Sequence, residues 1–133
     1  MKDGSSSNIK DKSFDFALDI INLYKKLKEN NEFILSKQLL RAGTSIGANV
    51  AEAGAAQSKK EFITKMSIAS KEARETKYWL QLLKQSKIIK LDYAPFLTEI
   101  DGIISILTKI IKTSQMNLEN KNNYKTQHSK LNT

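Results

Sequence analysis

The sequence of 133 residues predicts an all-α protein, an antiparallel four-helix bundle with up-down-up-down topology. Apolar residues recur at alternating spacings of three and four along most of the chain, which is the period of a helix with one buried face. Polar turn and cap residues interrupt this period near residues 30, 58 and 92. Four helices joined by short connections follow from these two observations.

The clearest helix start lies at residues 57–61. Ser58 is placed to accept a hydrogen bond from the amide of Glu61, and the Glu61 carboxylate is placed to accept one from the amide of Ser58, as in a capping box. Helix three is therefore predicted from Lys59 to about Lys87. One apolar stripe follows its length: Phe62, Met66, Ala69, Ala73, Thr76, Leu80 and Leu83.

Helix two, predicted from about Glu32 after a turn at residues 30–31, has an unusual number of small residues. Each interior glycine lowers helix propensity by about 1 kcal/mol relative to alanine. We therefore expect neighbouring helix backbones to approach closely along one line of small residues: Gly43, Gly47, Ala51 and Gly54. A loop over residues 41–49 is the alternative, but it would expose Ile46 and Val50 to water.

Helices one and four complete the bundle. Helix one is predicted from an N-cap at Ser13 to about Lys28, and helix four follows a cap at Asp92, with Pro95 in its first turn. Both helices have an apolar face that is wider than packing against a single neighbouring helix requires. Such a face either encloses a large bundle core or covers a partner subunit, and periodicity does not separate these two interpretations.

The bundle domain is predicted to comprise residues 13–116. Residues 1–12 are polar without a period and are predicted to be disordered. Residues 117–133 are rich in asparagine and basic, and a frayed or disordered tail is predicted there.

Composition restricts the function more than it defines it. Lys and Arg number 22 against 14 Asp and Glu, and the net charge of +8 favours binding to polyanions such as RNA or DNA. A lysine-rich, solubilising surface is the alternative. The absence of cysteine excludes disulfides and thiolate chemistry, and no apolar run is long enough for a signal peptide or membrane span. We expect a cytoplasmic protein with no membrane association.

Side chains suited to catalysis are sparse. The single histidine, His128, lies in the polar tail, and Glu72 and Glu75 lack the histidine that a di-iron bundle requires. Ser45 has no base near it in sequence, and the phosphate-binding and nucleophile motifs are absent. The prediction is a protein that is not an enzyme, with no catalytic residues, no metal and no cofactor.

Basic side chains on helix three suggest a nucleic-acid interface. At helical spacing they form one outer line and one adjoining line, with an aromatic ring that can stack on a base. The alternative is a solvated face that Glu61, Glu72 and Glu75 neutralise. The candidate nucleic-acid-binding residues are Lys60, Lys71, Arg74, Tyr78, Lys77 and Lys84.

Three segments, residues 41–52, 57–63 and 68–80, together resemble the bacterial four-helix bundle family. This family is also named for the protein encoded in the intervening sequence of large-subunit ribosomal RNA, and it is related to the accessory protein of diversity-generating retroelements. The resemblance implies a homopentameric ring that holds RNA or DNA for another protein, such as a reverse transcriptase. The structural motif residues are Arg41, Ser45, Asn49, Glu52, Ser58 and Glu61.

Asn49 and Glu52 have two interpretations. Both lie one turn apart on a helix of small and apolar residues, where an asparagine can fix helix register through a buried hydrogen bond. Alternatively, they contact a ligand. For the whole protein, the leading hypothesis is electrostatic nucleic-acid binding by an oligomeric bundle, and the alternative is a protein-interaction scaffold whose basic charge is incidental.

Overall fold

The computed structural model describes the backbone of residues 5–131 and the side chains of residues 9–129. Four α-helices form this part of the chain, and it contains no strand: α1 (Ser5–Glu29), α2 (Leu35–Gly54), α3 (Lys59–Ser86) and α4 (Ala94–Leu131). Each helix packs against the next one in sequence, and α1 also packs against α4. The four helices thus surround one core, and the predicted all-α four-helix fold is confirmed.

The core consists of one apolar stripe from each helix. On α3, the predicted stripe is buried from Met66 to Leu83, and only Phe62 at its start is half-buried. Every buried polar side-chain atom in the described region has a hydrogen-bond partner. The largest fully buried apolar side chains are Ile9, Phe16, Ile20, Leu27, Leu39, Ile46, Met66, Leu80, Leu83, Ile100 and Leu107.

The start of α3 confirms one half of the predicted capping box and corrects the other. The Ser58 side chain accepts a hydrogen bond from the Glu61 amide at 3.0 Å, as predicted. The Glu61 carboxylate, however, accepts from the amide of Gln57 at 2.9 Å and not from that of Ser58. The box is therefore one residue wider than predicted, with Ser58 in the extended conformation that is usual for an N-cap.

The predicted start of helix one at Ser13 is wrong, because α1 begins at Ser5. Ser13 is fully buried inside the helix, and its hydroxyl donates to the carbonyl of Lys10 at 3.1 Å. Ile9 continues the buried stripe of Phe16 two turns further toward the N-terminus, and this apolar contact stabilises the polar first turns. The disorder predicted for residues 1–12 is thus contradicted for 5–12, while residues 1–4 lie outside the described part.

Helix α4 also extends beyond its predicted end near Met116. Its first turn agrees with the prediction, since the Asp92 carboxylate accepts a hydrogen bond from the Ala94 amide at 3.1 Å and Pro95 follows. Its far end is helical to Leu131, whereas a frayed or disordered tail was predicted. The prediction for residues 132–133 falls outside the described residues.

The turn between α1 and α2 is built around Glu32. Helix two was predicted to begin at about this residue, but Glu32 lies before the helix and its side chain is buried. One carboxylate oxygen accepts from the amides of Ile34 and Leu35 at 3.2 and 2.9 Å. The other accepts from the amide of Ser36 at 2.7 Å. Burial by itself would raise the pKa of Glu32, but these amide hydrogen bonds outweigh it and the pKa is lowered. Helix α2 therefore begins at Leu35, with Glu32 satisfying its first amides.

Close approach of α1 and α2 explains two of the glycines. A Cβ at Gly43 would lie 2.9 Å from Cγ2 of Ile20, and one at Gly47 would lie 3.3 Å from the carbonyl oxygen of Ser13. The predicted close approach is confirmed at these two positions. It is wrong for Gly54, where a Cβ would meet no atom within 4 Å.

Gly43→Ala is expected to lower the free energy of unfolding by about 1–2 kcal/mol, because Ile20 is β-branched and buried and cannot move aside easily. Gly102→Ala is the matched control on α4, where a Cβ would meet open space. It is expected to stabilise the protein by up to about 1 kcal/mol through helix propensity. Urea unfolding of both variants measures the difference, and equal effects would contradict the close helix contact.

Candidate nucleic-acid interface

The structural motif on α2 contacts α3 through charged side chains. The Arg41 guanidinium forms ion pairs with Glu72, at 3.4 Å, and with Glu75. At the other end of α2, Glu52 pairs with Lys65 at 2.9 Å. The hydrogen bond and charge of Glu52 raise the pKa of Lys65. Arg41 and Glu52 thus connect α2 to α3 at two levels, which favours the architectural interpretation of the motif.

Ser45 and Asn49 form hydrogen bonds within α2 itself. The Ser45 hydroxyl donates to the carbonyl of Arg41 at 2.6 Å, and the Asn49 amide donates to the carbonyl of Ser45 at 2.9 Å. Asn49 is only half-buried. The hypothesis that Asn49 fixes helix register by a buried hydrogen bond across helices is therefore wrong.

The ion pairs with α2 change the charge balance of α3. Glu75 pairs with Arg41 rather than with Lys71, and Lys65 pairs with Glu52 rather than with Glu61. Glu75 also accepts a hydrogen bond from the Trp79 indole at 3.0 Å. Two of the carboxylates that were considered as neutralising partners, Glu72 and Glu75, thus pair with α2, and the third, Glu61, caps the start of α3.

Five basic residues of α3 and one tyrosine form a surface that we call the α3 ridge: Lys60, Lys71, Arg74, Tyr78, Lys77 and Lys84. All are exposed except Lys77, which is half-buried. From Lys60 to Lys84 the ridge extends about 36 Å at 1.5 Å per residue. Within the described side chains, no carboxylate forms an ion pair with Lys60, Lys71, Arg74 or Lys84.

Lys77 differs from the other cations because α4 neutralises it. Its ammonium lies 2.7 Å from the carboxylate of Asp101. Asp101 is a functional neighbour that the sequence did not identify, since no spacing rule relates a residue of α4 to one of α3. Lys77 is therefore the weakest candidate of the ridge for contacting a phosphate.

Tyr78 is the aromatic member of the ridge, with 55% of its surface exposed. Its ring meets that of Trp79 edge to face, with centroids 5.0 Å apart and an angle of 75° between the planes. Beside it, a groove of about 390 Å³ separates α3 from α4. The groove is lined by Arg74, Lys77, Tyr78, Gln81, Asp101 and Ser105, among others. A base stacked on Tyr78 would thus lie next to an exposed guanidinium.

The opposite groove, between α1 and α4, is acidic. It is lined by Asp15, Asp19 and Glu99 together with Lys12. Burial and then the neighbouring Asp19 carboxylate raise the pKa of Glu99. Positive charge is therefore not distributed evenly over the surface, and a polyanion would meet the α3 ridge in preference to this groove.

Glu99→Gln is expected to increase the free energy of unfolding at pH 7. A carboxyl whose pKa is raised by folding destabilises the folded state when it is ionised, so stability falls as the pH rises through the folded pKa. The side-chain amide of glutamine does not titrate, so the stability of the variant lacks this dependence on pH. Urea unfolding at pH 7 and at pH 5 tests this prediction: the gain should be smaller at pH 5, and a loss at pH 7 would contradict it.

Neither a metal centre nor a membrane span is found in the described region. No three His, Asp or Glu side chains there are grouped so that they might hold an ion. None of the four helices combines the length and apolar character that crossing a bilayer demands.

Comparison with known proteins identifies relatives of this chain. A crystal structure at 1.70 Å resolution from Bacteroides thetaiotaomicron VPI-5482, of a protein with unknown function from the S23 ribosomal protein family, superimposes with a TM-score of 0.78. It is 49% identical and covers 82% of this chain and 99% of its own. A search of curated proteins gives no match. The family model of the 23S rRNA-intervening sequence protein matches residues 5–109. The chain therefore belongs to the 23S rRNA-intervening sequence protein family.

Proposed function

We propose that this protein binds RNA or DNA electrostatically through the α3 ridge and is not an enzyme. The observation that supports the proposal most is the charge of the ridge: Lys60, Lys71, Arg74 and Lys84 are exposed, and their potential acidic partners are occupied elsewhere. Cations that follow a nucleic-acid backbone bind mainly by releasing counterions and read little sequence. The length of the ridge corresponds to about ten base pairs of duplex at about 3.4 Å per base pair.

The family supports the same proposal. The family is named after the intervening sequence of 23S rRNA, and a cytoplasmic location is consistent with that context. We propose structured RNA as the first ligand to test. By resemblance to retroelement accessory proteins, the bound RNA would be presented to a second protein such as a reverse transcriptase.

We further propose an up-down-up-down bundle that assembles into a homopentamer. An unpartnered apolar face on α1 supports assembly, because Phe14 and Leu18 are 63% and 48% exposed one helical turn apart. A pentamer would have a mass of about 75 kDa, five times 15.0 kDa, and a charge of about +40, five times +8. Repetition of the ridge around a ring would add avidity to individually weak contacts.

The direct test measures binding of the purified protein to a fluorescein-labelled RNA hairpin and to a DNA hairpin of the same sequence. Fluorescence anisotropy at low salt gives Kd, and light scattering in the same buffer gives the mass of the assembly. Binding by an assembly of about 75 kDa is expected. An assembly of that mass that binds neither hairpin would contradict the function but leave the pentamer intact.

A protein-interaction scaffold is the second candidate. Two exposed apolar side chains in the turn before α2 favour it, since Phe33 is 55% and Ile34 is 76% exposed. This candidate predicts a specific protein partner that remains bound after nuclease treatment. It also predicts that Phe33→Ser and Ile34→Ser together abolish that interaction while RNA binding is unchanged.

A further inference from the structure

We infer that the C-terminal part of α4, residues 117–129, is a second nucleic-acid-binding surface that recognises strands with unpaired bases. We call this segment the C-terminal arm. The inference rests on the proposed nucleic-acid binding and adds to it a surface that the α3 ridge does not include.

The face of the arm continues the buried face of α4 but differs from it in chemistry. Positions seven residues apart lie on the same side of a helix. Leu107 and Ser114 are buried, whereas the next positions in that series, Lys121 and His128, are exposed. All side chains from residue 119 to 129 are exposed, so none of the other three helices, as far as the structure describes them, covers the arm.

A second series with the same seven-residue spacing contains Ile103, Ile110 and Tyr124. Ile103 and Ile110 are buried, whereas Tyr124 is 61% exposed. The core stripe of α4 is thus apolar inside the bundle, and it becomes basic and aromatic where its neighbours end. An apolar partner would require an apolar continuation, and this surface lacks one.

The exposed face is suited to a polyanion with bases. Lys121 and Lys125 form no ion pair with any described carboxylate. The only carboxylate of the arm, Glu119, is two and six positions away from them, which places it about 160° and 120° around the helix. Tyr124 lies between the two lysines, and its ring meets that of His128 edge to face with centroids 4.1 Å apart.

The base of the arm joins a second basic region. A cavity of about 280 Å³ lies between the start of α3 and α4, and its lining includes Lys59, Lys109, Thr113 and Asn117. Among the described side chains, no carboxylate lines it. Asn117, which lines this cavity, lies about 40° around α4 from Lys121 and about 80° from Lys125, so a phosphate backbone that leaves the cavity at Asn117 meets both lysines of the arm.

The arm lies outside the residues that the family model matches. The family model ends at residue 109, and the Bacteroides structure is covered to 99% by only 82% of this chain. The role of the arm therefore does not follow from the match to the family model.

Two variants of the full chain test the inference with a labelled single-stranded RNA of about 20 nucleotides, long enough for one binding site, and with a duplex of equal length. Tyr124→Ala is expected to weaken single-strand binding at least fivefold, the smaller limit of a lost stacking contact, with little effect on the duplex. The double variant Lys121→Gln, Lys125→Gln is expected to lower the salt slope for the single strand by about 1.4. A single-stranded DNA of the same sequence shows whether the sugar matters.

The matched control is Lys90→Gln with Lys112→Gln, which removes the same charge outside the arm face. Arm variants that bind the single strand no differently from this control would overturn the inference. If the α3 ridge variants still weaken binding in that case, the proposed function remains and the arm alone is rejected. A wild-type protein that binds no nucleic acid would reject both.

Discussion

Replacement of Lys60, Lys71, Arg74 and Lys84 by glutamine is expected to weaken binding to an RNA hairpin by about 100-fold or more near 0.1 M salt. Each phosphate contact contributes about 0.7–0.9 to the slope of log Kd against log salt, so four lost contacts lower that slope by about 3. The fold should be unaffected, because all four side chains are exposed and unpaired. Anisotropy titrations at several salt concentrations measure both quantities.

The matched control replaces an equal number of exposed lysines on α1 and α2 by glutamine: Lys10, Lys25, Lys26 and Lys37. This variant has the same net charge as the ridge variant but retains the α3 ridge. Equal losses in both variants would mean that net charge, rather than the ridge, attracts the nucleic acid. Lys77→Gln alone is expected to have a small effect, since Asp101 already neutralises that ammonium.

Glu32→Gln is expected to have the largest effect on stability, a loss of about 3 kcal/mol in the free energy of unfolding. The buried carboxylate accepts hydrogen bonds from three backbone amides at the start of α2, and a neutral amide side chain has one acceptor oxygen instead of two. A buried amide without a partner costs about 1–3 kcal/mol, in addition to the lost cap. Urea unfolding measures the loss, with Glu29→Gln, an exposed neighbour, as the control.

The pH dependence of this variant provides an independent check. Since folding lowers the pKa of Glu32, its stabilisation is complete above its ordinary value of 4.5 and is lost as the pH falls through the lower folded pKa. The difference between wild type and Glu32→Gln should therefore shrink in acid. A difference that is constant from pH 7 to pH 3 would show that the carboxylate charge is not what the amides require.

Local patterns in the sequence predict most of this fold. The cap at Ser58 and the stripe from Met66 to Leu83 are short-range features, and the structure confirms both. The helix ends at Ser5 and Leu131 were missed because the flanking residues are polar and propensity alone favours fraying there. At the N-terminal end, Ile9 carried the missing signal, since it lies one heptad before Phe16 on the buried face.

The interface was only partly predictable for a different reason. Helical spacing identified the exposed residues of the α3 ridge, but the neutralisation of each charge depends on contacts between helices. Arg41 on α2 forms ion pairs with Glu72 and Glu75, and Asp101 on α4 forms one with Lys77. These pairs join residues distant in sequence, so no spacing rule within one helix reveals them.

The most direct test of nucleic-acid binding is the salt dependence of wild-type affinity for a labelled, structured RNA, measured by fluorescence anisotropy together with the solution mass in each buffer. We predict that log Kd rises linearly with log salt with a slope of about 3 or more, as expected for at least four phosphate contacts, while the mass stays constant. An affinity that does not change with salt, at constant mass, would contradict electrostatic binding by the α3 ridge.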